Sequence, residues 1–233
     1  MAGKLIRYPV VQRSDYLVSL ATGAGRVLHV GCADWPFSEN KIEAGSLLHQ
    51  RLSGVADVTG VDLSQEGLRH LREAGMNNVI LADATDLPEG LGKFDMVVLS
   101  DVLEHVDNAG ALLRGAVRAL NTSPAARVVV SVPNAFSAEI IMKVAANRES
   151  VHPDHVAYYS FTTLGELLRQ NGLAMFHEQN RYQFEQRPGT PGSFGNRATY
   201  LAARAVCRAV PHYASGIIAV AKPAVVSGPT IRP

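Results

Sequence analysis

Short apolar runs, each ending on glycine or a polar residue, alternate along this chain with stretches of helix length, and that alternation restricts the fold more than any other feature. The runs are "RVLHVG" (26–31), "DVTGVDLS" (57–64), "NVILAD" (78–83), "FDMVVLSD" (94–101), "ARVVVSVP" (126–133), "LAMFHEQNRYQFE" (173–185) and "GIIAVAKP" (216–223). Helical spacing marks "ENKIEAGSLLHQRLSG" (39–54), "QEGLRHLREAG" (65–75), "NAGALLRGAVRAL" (108–120) and "TTLGELLRQNG" (162–172), several of them closed by a glycine. Strands that are apolar along nearly their whole length are buried on both faces. The expected architecture is therefore α/β, a doubly wound, seven-stranded and mostly parallel sheet covered by helices on both sides. In such sheets ligands bind beyond the carboxyl ends of the strands, at the point where strand order reverses. Function should be sought in the residues that follow each strand.

The rest of the composition narrows the class. A chain of 233 residues suits one domain, 1–233, able to bury a core without staples. Charged residues make up 18 % and the net charge is +1, so no basic excess points to nucleic acid. Cys32 and Cys207 are far apart and form no CxxC pair, which fits a reducing, cytoplasmic setting. The start "MAGKLIRYPVVQRSDYL" lacks the apolar centre of a signal peptide, and no apolar run reaches the ~18 residues of a membrane span. Residues 1–25 are expected to cap the domain. The segment 181–215, Gly/Pro/Ser-rich and then Ala/Arg-rich, reads as a cap near the pocket, a subunit contact, or a surface insertion. A homodimer is the base-rate expectation.

The strand ends carry polar groups in series. Gly31 follows the first strand, with Asp34 close behind; Asp62 ends the second; Asp83 and Ala84 follow the third; Ser100 and Asp101 follow the fourth. A carboxylate at the end of an apolar strand can accept hydrogen bonds from both ribose hydroxyls, as Asp62 is placed to do. Asp83 is placed to accept from an adenine amino group. Gly31 allows a sharp turn and close approach of a ligand to backbone. The loop "GCADWP" lacks the glycine-rich turn that cradles a pyrophosphate, and Trp35-Pro36 crowds that space. An adenosine ligand without phosphates fits better than NAD or ATP.

The ordered series "VLHVGC", "TGVDLS", "ILADATDLP", "FDMVVLSDVLEHV", "VVVSVPN" and "HVAYYSFTTLGELLRQNGL" resembles the class I S-adenosylmethionine-dependent methyltransferases across roughly residues 26–180. The resemblance implies a Rossmann-like methyltransferase fold with "GIIAVAKP" as its reversed final strand. It implies S-adenosylmethionine as cofactor, with Gly31, Cys32, Ala33 and Asp34 against the methionine part. Asp62, with Leu63 beside it, would face the ribose, Asp83 and Ala84 the adenine, and Ser100 the sulfonium. Ala33-Asp34-Trp35 departs from the family at its second glycine region.

Methyl transfer is an in-line displacement at carbon, so alignment does much of the work. An alcohol must also lose its proton, which calls for a base or a metal. Asp101, Glu104 and His105, at i, i+3 and i+4, would share one face of a helical turn and could hold Mg2+ or another divalent ion. A similar E-x-x-E-H arrangement occurs in the ubiquinone-biosynthesis O-methyltransferases that the chain resembles; the alternative is that His105 only braces the pocket. The second cluster is "ESVHPDHVAYYS", where His155 first and His152 second are candidate general bases with Asp154 adjacent. The bland alternative makes these histidines surface groups. His29 and Cys32 read as core residues, and His49, His70, His177 and His212 carry no constellation. Tyr, Arg, Gln and His in "YPVVQRSDYL", "RYQFEQR" and "HYA" suit a sugar hydroxyl as methyl acceptor, and the chain is also similar to methyltransferases of sugars and polysaccharides. A small aromatic or lipid-linked hydroxyl is the runner-up. A non-catalytic adenosyl-binding protein and an NAD-dependent reductase are the rival classes.

Overall fold

The computed structural model describes residues 8–88, 90–149, 151–184 and 205–224. Much of the 181–215 segment, including its Gly/Pro/Ser-rich half, and the tail beyond residue 224 therefore lie outside the described residues. One sheet organises the chain. Its strands are β1 (Val10–Val11), β2 (Arg26–Val30), β3 (Asp57–Asp62), β4 (Val79–Leu81), β5 (Met96–Ser100), β6 (Arg127–Pro133), β7 (Leu173–Met175), β8 (Arg181–Gln183) and β9 (Gly216–Pro223). They run in the order β1-β8-β9-β6-β5-β2-β3-β4, with β7 also paired to β9. The strands from β4 to β6 are mutually parallel, and β9 is antiparallel to β6, β7 and β8. The reversed last strand is as expected, and β2, with β3 on one side and β5 on the other, marks the switch point.

Alternation along the strands divides the core into two layers. Leu28, Val30, Val97, Leu99, Val128 and Val130 face one way, where helices α5 (Ala109–Ala119) and α7 (Phe161–Gln170) cover them with Leu112, Leu113, Leu164 and Leu168. Val27, Met96, Val98, Val129 and Ile218 face the other way, under Leu17 and Leu20 of α1 (Arg13–Ala21) and Leu48 and Leu52 of α3 (Leu48–Ser53). Each such buried side chain contributes roughly 1.5–3 kcal/mol of transfer free energy, which explains why β5 tolerates no polar residue before Ser100. Helix α7 begins with a capping box, Ser160 and Thr163 each satisfying the other's backbone amide.

Two elements differ from expectation. The single helix over 39–54 is two, α2 (Ser38–Glu43) and α3, because Gly45 takes a left-handed conformation (φ 62°) and the chain turns there to bury Leu47. The sheet has nine strands instead of seven. One addition is the two-residue β1. The other arises because the strand over 173–185 splits: the polar run His177–Gln179 turns out as a 3-10 helix, and the buried Asn180 side chain accepts from the Val220 amide (2.9 Å). The 65–75 helix is α4 (Gln65–Glu73) and α6 (Ala138–Ala145) is a helix the sequence reading left unassigned. Among the described residues no helix is long and apolar enough to cross a membrane.

Beneath the turn after β2, His29 and His49 form a buried pair, Nδ1 to Nδ1 3.3 Å. Gly60 makes room for it: a Cβ there would lie 2.7 Å from both His49 Cε1 and Cys32 Sγ. Burial holds His29 well below its usual range and, together with the neighbouring His49 and Arg13, keeps it neutral; burial lowers His49 to about 4. The unfolded chain protonates these imidazoles near 6.5 and the folded one does not, so protons favour the unfolded state. Urea melts should show stability falling as pH drops from 6.5 towards 4, by at most about 3 kcal/mol per imidazole. His49→Gln should flatten that profile; an unchanged slope in the variant would remove the pair as its source.

Candidate active site

The crevice at the switch point is built by tight turns at the strand ends. Gly31 leaves β2 with φ 73°, and a Cβ on it would lie 2.4 Å from Val102 Cγ2, so only glycine fits. The Ala33 amide donates to Asp62 Oδ2 and the Ser64 amide to Asp62 Oδ1, both at 2.8 Å. A carboxylate offers about four lone-pair sites, so the half-buried Asp62 can hold these two loops and still accept two ribose hydroxyls. Leu63 beside it is 73 % exposed and Trp35 46 %, apolar surface flanking that carboxylate. Gly67 lets α4 approach the loop, since a Cβ there would meet Ala33 Cβ at 2.6 Å. Asp34, itself at φ 53°, is ion-paired with Lys41. Asp83 lies at the exposed end of β4, accepting from the Thr85 amide (2.8 Å), and this hydrogen bond holds its carboxyl below the usual range. Ala84 is buried against α5, its carbonyl oxygen 2.4 Å from where a Cβ on Gly115 would be. Cys32 is fully buried and burial, followed by the Asp62 charge, pushes its thiol up; it is no nucleophile. The exposed apolar flank and the carboxylate acceptors at the strand ends fit an adenosyl ligand.

The ends of β5 and β6 form the other wall. Ser131 Oγ lies 3.2 Å from both Ser100 Oγ and Asp101 Oδ1. Asp101 is in the left-handed region (φ 52°) and ion-paired with Arg13 at the start of α1. A single 3-10 turn, Leu103–His105, follows. It buries Glu104 (1 % exposed) and exposes His105, so the expected set Asp101, Glu104 and His105 does not converge on one ion. Burial pushes the Glu104 carboxyl up to about 7, against its own backbone amide and Arg13, and neither of its oxygens has a hydrogen-bond partner among the described residues.

His105 instead meets the second cluster. Its ring centroid lies 4.6 Å from that of His155 and 5.8 Å from that of His152, and the latter two are 4.9 Å apart. His155 is partly buried, edge-on to Tyr158, while Asp154 is exposed and its carboxylate lies 3.9 Å from His152 Nδ1, so Asp154 backs His152 and not His155. Next to this cluster the connection after β6 turns an apolar face outward. Phe136, Ile141, Met142, Val144, Val151 and Val156 are all exposed, and a cavity of about 220 Å³ opens between Ala135, Ile140, Val144, Val151 and Tyr158, with Lys143 and Arg148 at its edge. The sequence signal for this face is "SAEIIMKVA", an N-cap serine, Ser137, before an octet with six apolar residues, none of them buried.

Three of the tyrosines expected to line a sugar site are engaged within the fold. Tyr8 Oη lies 2.6 Å from His177 Nδ1, Tyr182 Oη 2.6 Å from His212 Nδ1, and Tyr16 donates to the Gln179 carbonyl (2.6 Å) with Arg181 over its ring.

Fold and strand-end site together define the class I S-adenosylmethionine-dependent methyltransferases. The model of a methyltransferase-domain family matches residues 9–178, and the chain belongs to that family. It is 36 % identical over 110 residues to a ubiquinone biosynthesis O-methyltransferase of Ralstonia nicotianae, across 44 % of this chain and 42 % of that one. The chain thus spans well under two thirds of the length of the curated relatives it matches. Among solved structures, a S-adenosylmethionine-dependent methyltransferase from Archaeoglobus fulgidus superposes with a TM-score of 0.52 at 20 % identity, over 90 % of this chain and 91 % of that one. The N-methyltransferase NodS from Bradyrhizobium japonicum WM9, in complex with S-adenosyl-L-homocysteine, superposes at 0.54 and 14 % identity, over 91 % and 85 %. At those identities the likeness is one of fold.

Removing a charged acceptor costs about 1.5–3 kcal/mol. Asp62→Asn should therefore weaken S-adenosylhomocysteine roughly 10–100-fold in titration calorimetry. Unchanged affinity would leave Asp62 with loop support alone.

Proposed function

We propose that the chain transfers a methyl group from S-adenosylmethionine to a hydroxyl oxygen of an aromatic or lipid-linked acceptor. The observation that carries this reading is the adjacency of the three imidazoles, His105, His152 and His155, to the outward apolar face of α6 and its cavity. An apolar body would lie against Phe136, Val144 and Val151 while its hydroxyl meets the imidazoles. The relatives named ubiquinone biosynthesis O-methyltransferases support oxygen as the acceptor atom. A sugar would find fewer stacking surfaces than the sequence suggests, because Tyr8, Tyr16 and Tyr182 are tied within the fold.

When bound, S-adenosylmethionine supplies a methyl group activated by sulfonium charge and leaves as S-adenosylhomocysteine. The strand-end residues Gly31, Cys32, Ala33, Asp34, Asp62, Leu63, Asp83, Ala84 and Ser100 hold and orient it. The acceptor's O–H bond breaks as oxygen attacks, and His155, or His152 with Asp154 beside it, takes the proton. Alignment of oxygen opposite the leaving sulfur supplies the larger share of the rate.

The test is to incubate purified protein with S-adenosylmethionine and two acceptor sets, alkylated catechols and methyl glycosides, and detect products by mass spectrometry. Methylated catechol is expected; methylation of the glycosides alone would overturn the acceptor class in favour of a sugar. His155→Ala should lower kcat about 10²–10⁴-fold while S-adenosylhomocysteine affinity holds. Full activity in both His155→Ala and His152→Ala would end the imidazole assignment.

A further inference from the structure

We infer that His105, His152 and His155 form a binding site for one divalent transition-metal ion of the zinc type, with one coordination position left for the acceptor oxygen. The inference rests on the reading above of this cluster as the hydroxyl-activating group, and it changes what the imidazoles do there. One ligand nitrogen from each histidine lies within 4.8 Å of the other two, the one such group of His, Cys, Asp and Glu among the described residues. Zinc–nitrogen bonds of about 2.0–2.1 Å in tetrahedral geometry bring ligand nitrogens to roughly 3.3 Å apart. Rotation of exposed or partly exposed rings covers that difference.

The three rings come from two separate segments, and backbone contacts fix one segment on the other. The Val156 amide donates to the Glu104 carbonyl at 2.8 Å, and His105 Nδ1 lies 3.2 Å from the Asp154 carbonyl oxygen. A carbonyl can only accept, so His105 Nδ1 carries the proton and Nε2 presents its lone pair, the tautomer a metal requires. His152 is held differently: its Nδ1 accepts from the Asp154 backbone amide at 3.3 Å, with the Asp154 carboxylate 3.9 Å away. An all-imidazole set suits zinc, cobalt or nickel, whereas magnesium takes oxygen donors. Three protein ligands with a fourth position open is the arrangement of catalytic zinc. An acceptor hydroxyl bound there loses its proton to solvent water at lower pH than a free one, and its oxygen keeps the electron pair that attacks the methyl carbon.

Chelator-treated protein titrated with Co2+ reads the site directly through its visible absorption. We expect one Co2+ per chain at micromolar affinity, displaced by Zn2+ and not by excess Mg2+. The His152→Ala/His155→Ala double variant, and His105→Ala independently, should weaken binding at least 30-fold, with S-adenosylhomocysteine affinity retained as the check on folding. His70→Ala should bind as the wild type does. Absence of the cobalt spectrum, or a spectrum unchanged in these variants, overturns the metal site. If chelated protein methylates catechols at full rate without a cobalt spectrum, the metal falls and the imidazole base stands. If cobalt binds as expected but neither the metal-loaded nor the chelated protein methylates any catechol, the acceptor reading falls and the metal site stands.

Discussion

The amides of Gly31 and Cys32 both donate to the Val61 carbonyl, at 2.9 and 3.3 Å, and this shared acceptor bends the chain out of the sheet where β2 ends. The next amide, that of Ala33, goes to the Asp62 carboxylate, so three successive donors of the loop are satisfied by the last two residues of β3. Buried backbone donors left without partners are expensive, and here the arrangement that satisfies them also opens the crevice. Gly31 cannot be larger because of Val102, which itself lies between Asp101 and the 3-10 turn bearing Glu104 and His105. The turn after β2 and the segment bearing Glu104 and His105 are thus packed against each other at one glycine.

Much of this was legible from the chain itself. Uninterrupted apolar strands such as "MVVLS" admit few environments other than a sheet buried on both faces, and polar residues at strand ends have few reasons to be there besides a ligand. The reading failed where it assumed α-helical spacing. In an α-helix Asp101, Glu104 and His105 would share a face, but in a 3-10 turn of three residues each successive side chain rotates by about a third of a circle. Glu104 consequently faces the core and His105 faces solvent. The Arg13–Asp101 ion pair was invisible for another reason: nothing in local sequence relates the start of α1 to the end of β5. The partnership of His105 with His152 and His155 was hidden likewise, since it depends on how a long connection folds back.

Glu104 shows how electrostatics and packing meet beyond the end of β5. Burial pushes its carboxyl up to about 7, and Arg13 and Tyr159 both interact with it. Arg13, held from the N-terminal helix, is ion-paired with Asp101 and also favours the charged form of Glu104, against the larger effect of burial. Tyr8 and Tyr16 anchor the same N-terminal segment to His177 and Gln179, and Tyr182 ties β8 to His212, which makes the segment part of the domain's frame.

The connection between β6 and α7 enters and leaves at one point. Asn134 and Tyr159 are bridged to each other, the Ala135 amide donates to the Tyr159 carbonyl (2.9 Å), and Ser160 immediately caps the following helix. Everything between them, α6 with its apolar face and the loop bearing His152 and His155, hangs from that pinned base. Changing the length of such a loop costs only about 0.6 kcal/mol per doubling, so the sheet is nearly indifferent to what the loop contains. The domain is in this sense a fixed sheet with a stretch at 135–158 attached at a single point. On the function proposed above, a change of acceptor would need rewriting of one uninterrupted stretch of some two dozen codons, with the strand ends untouched.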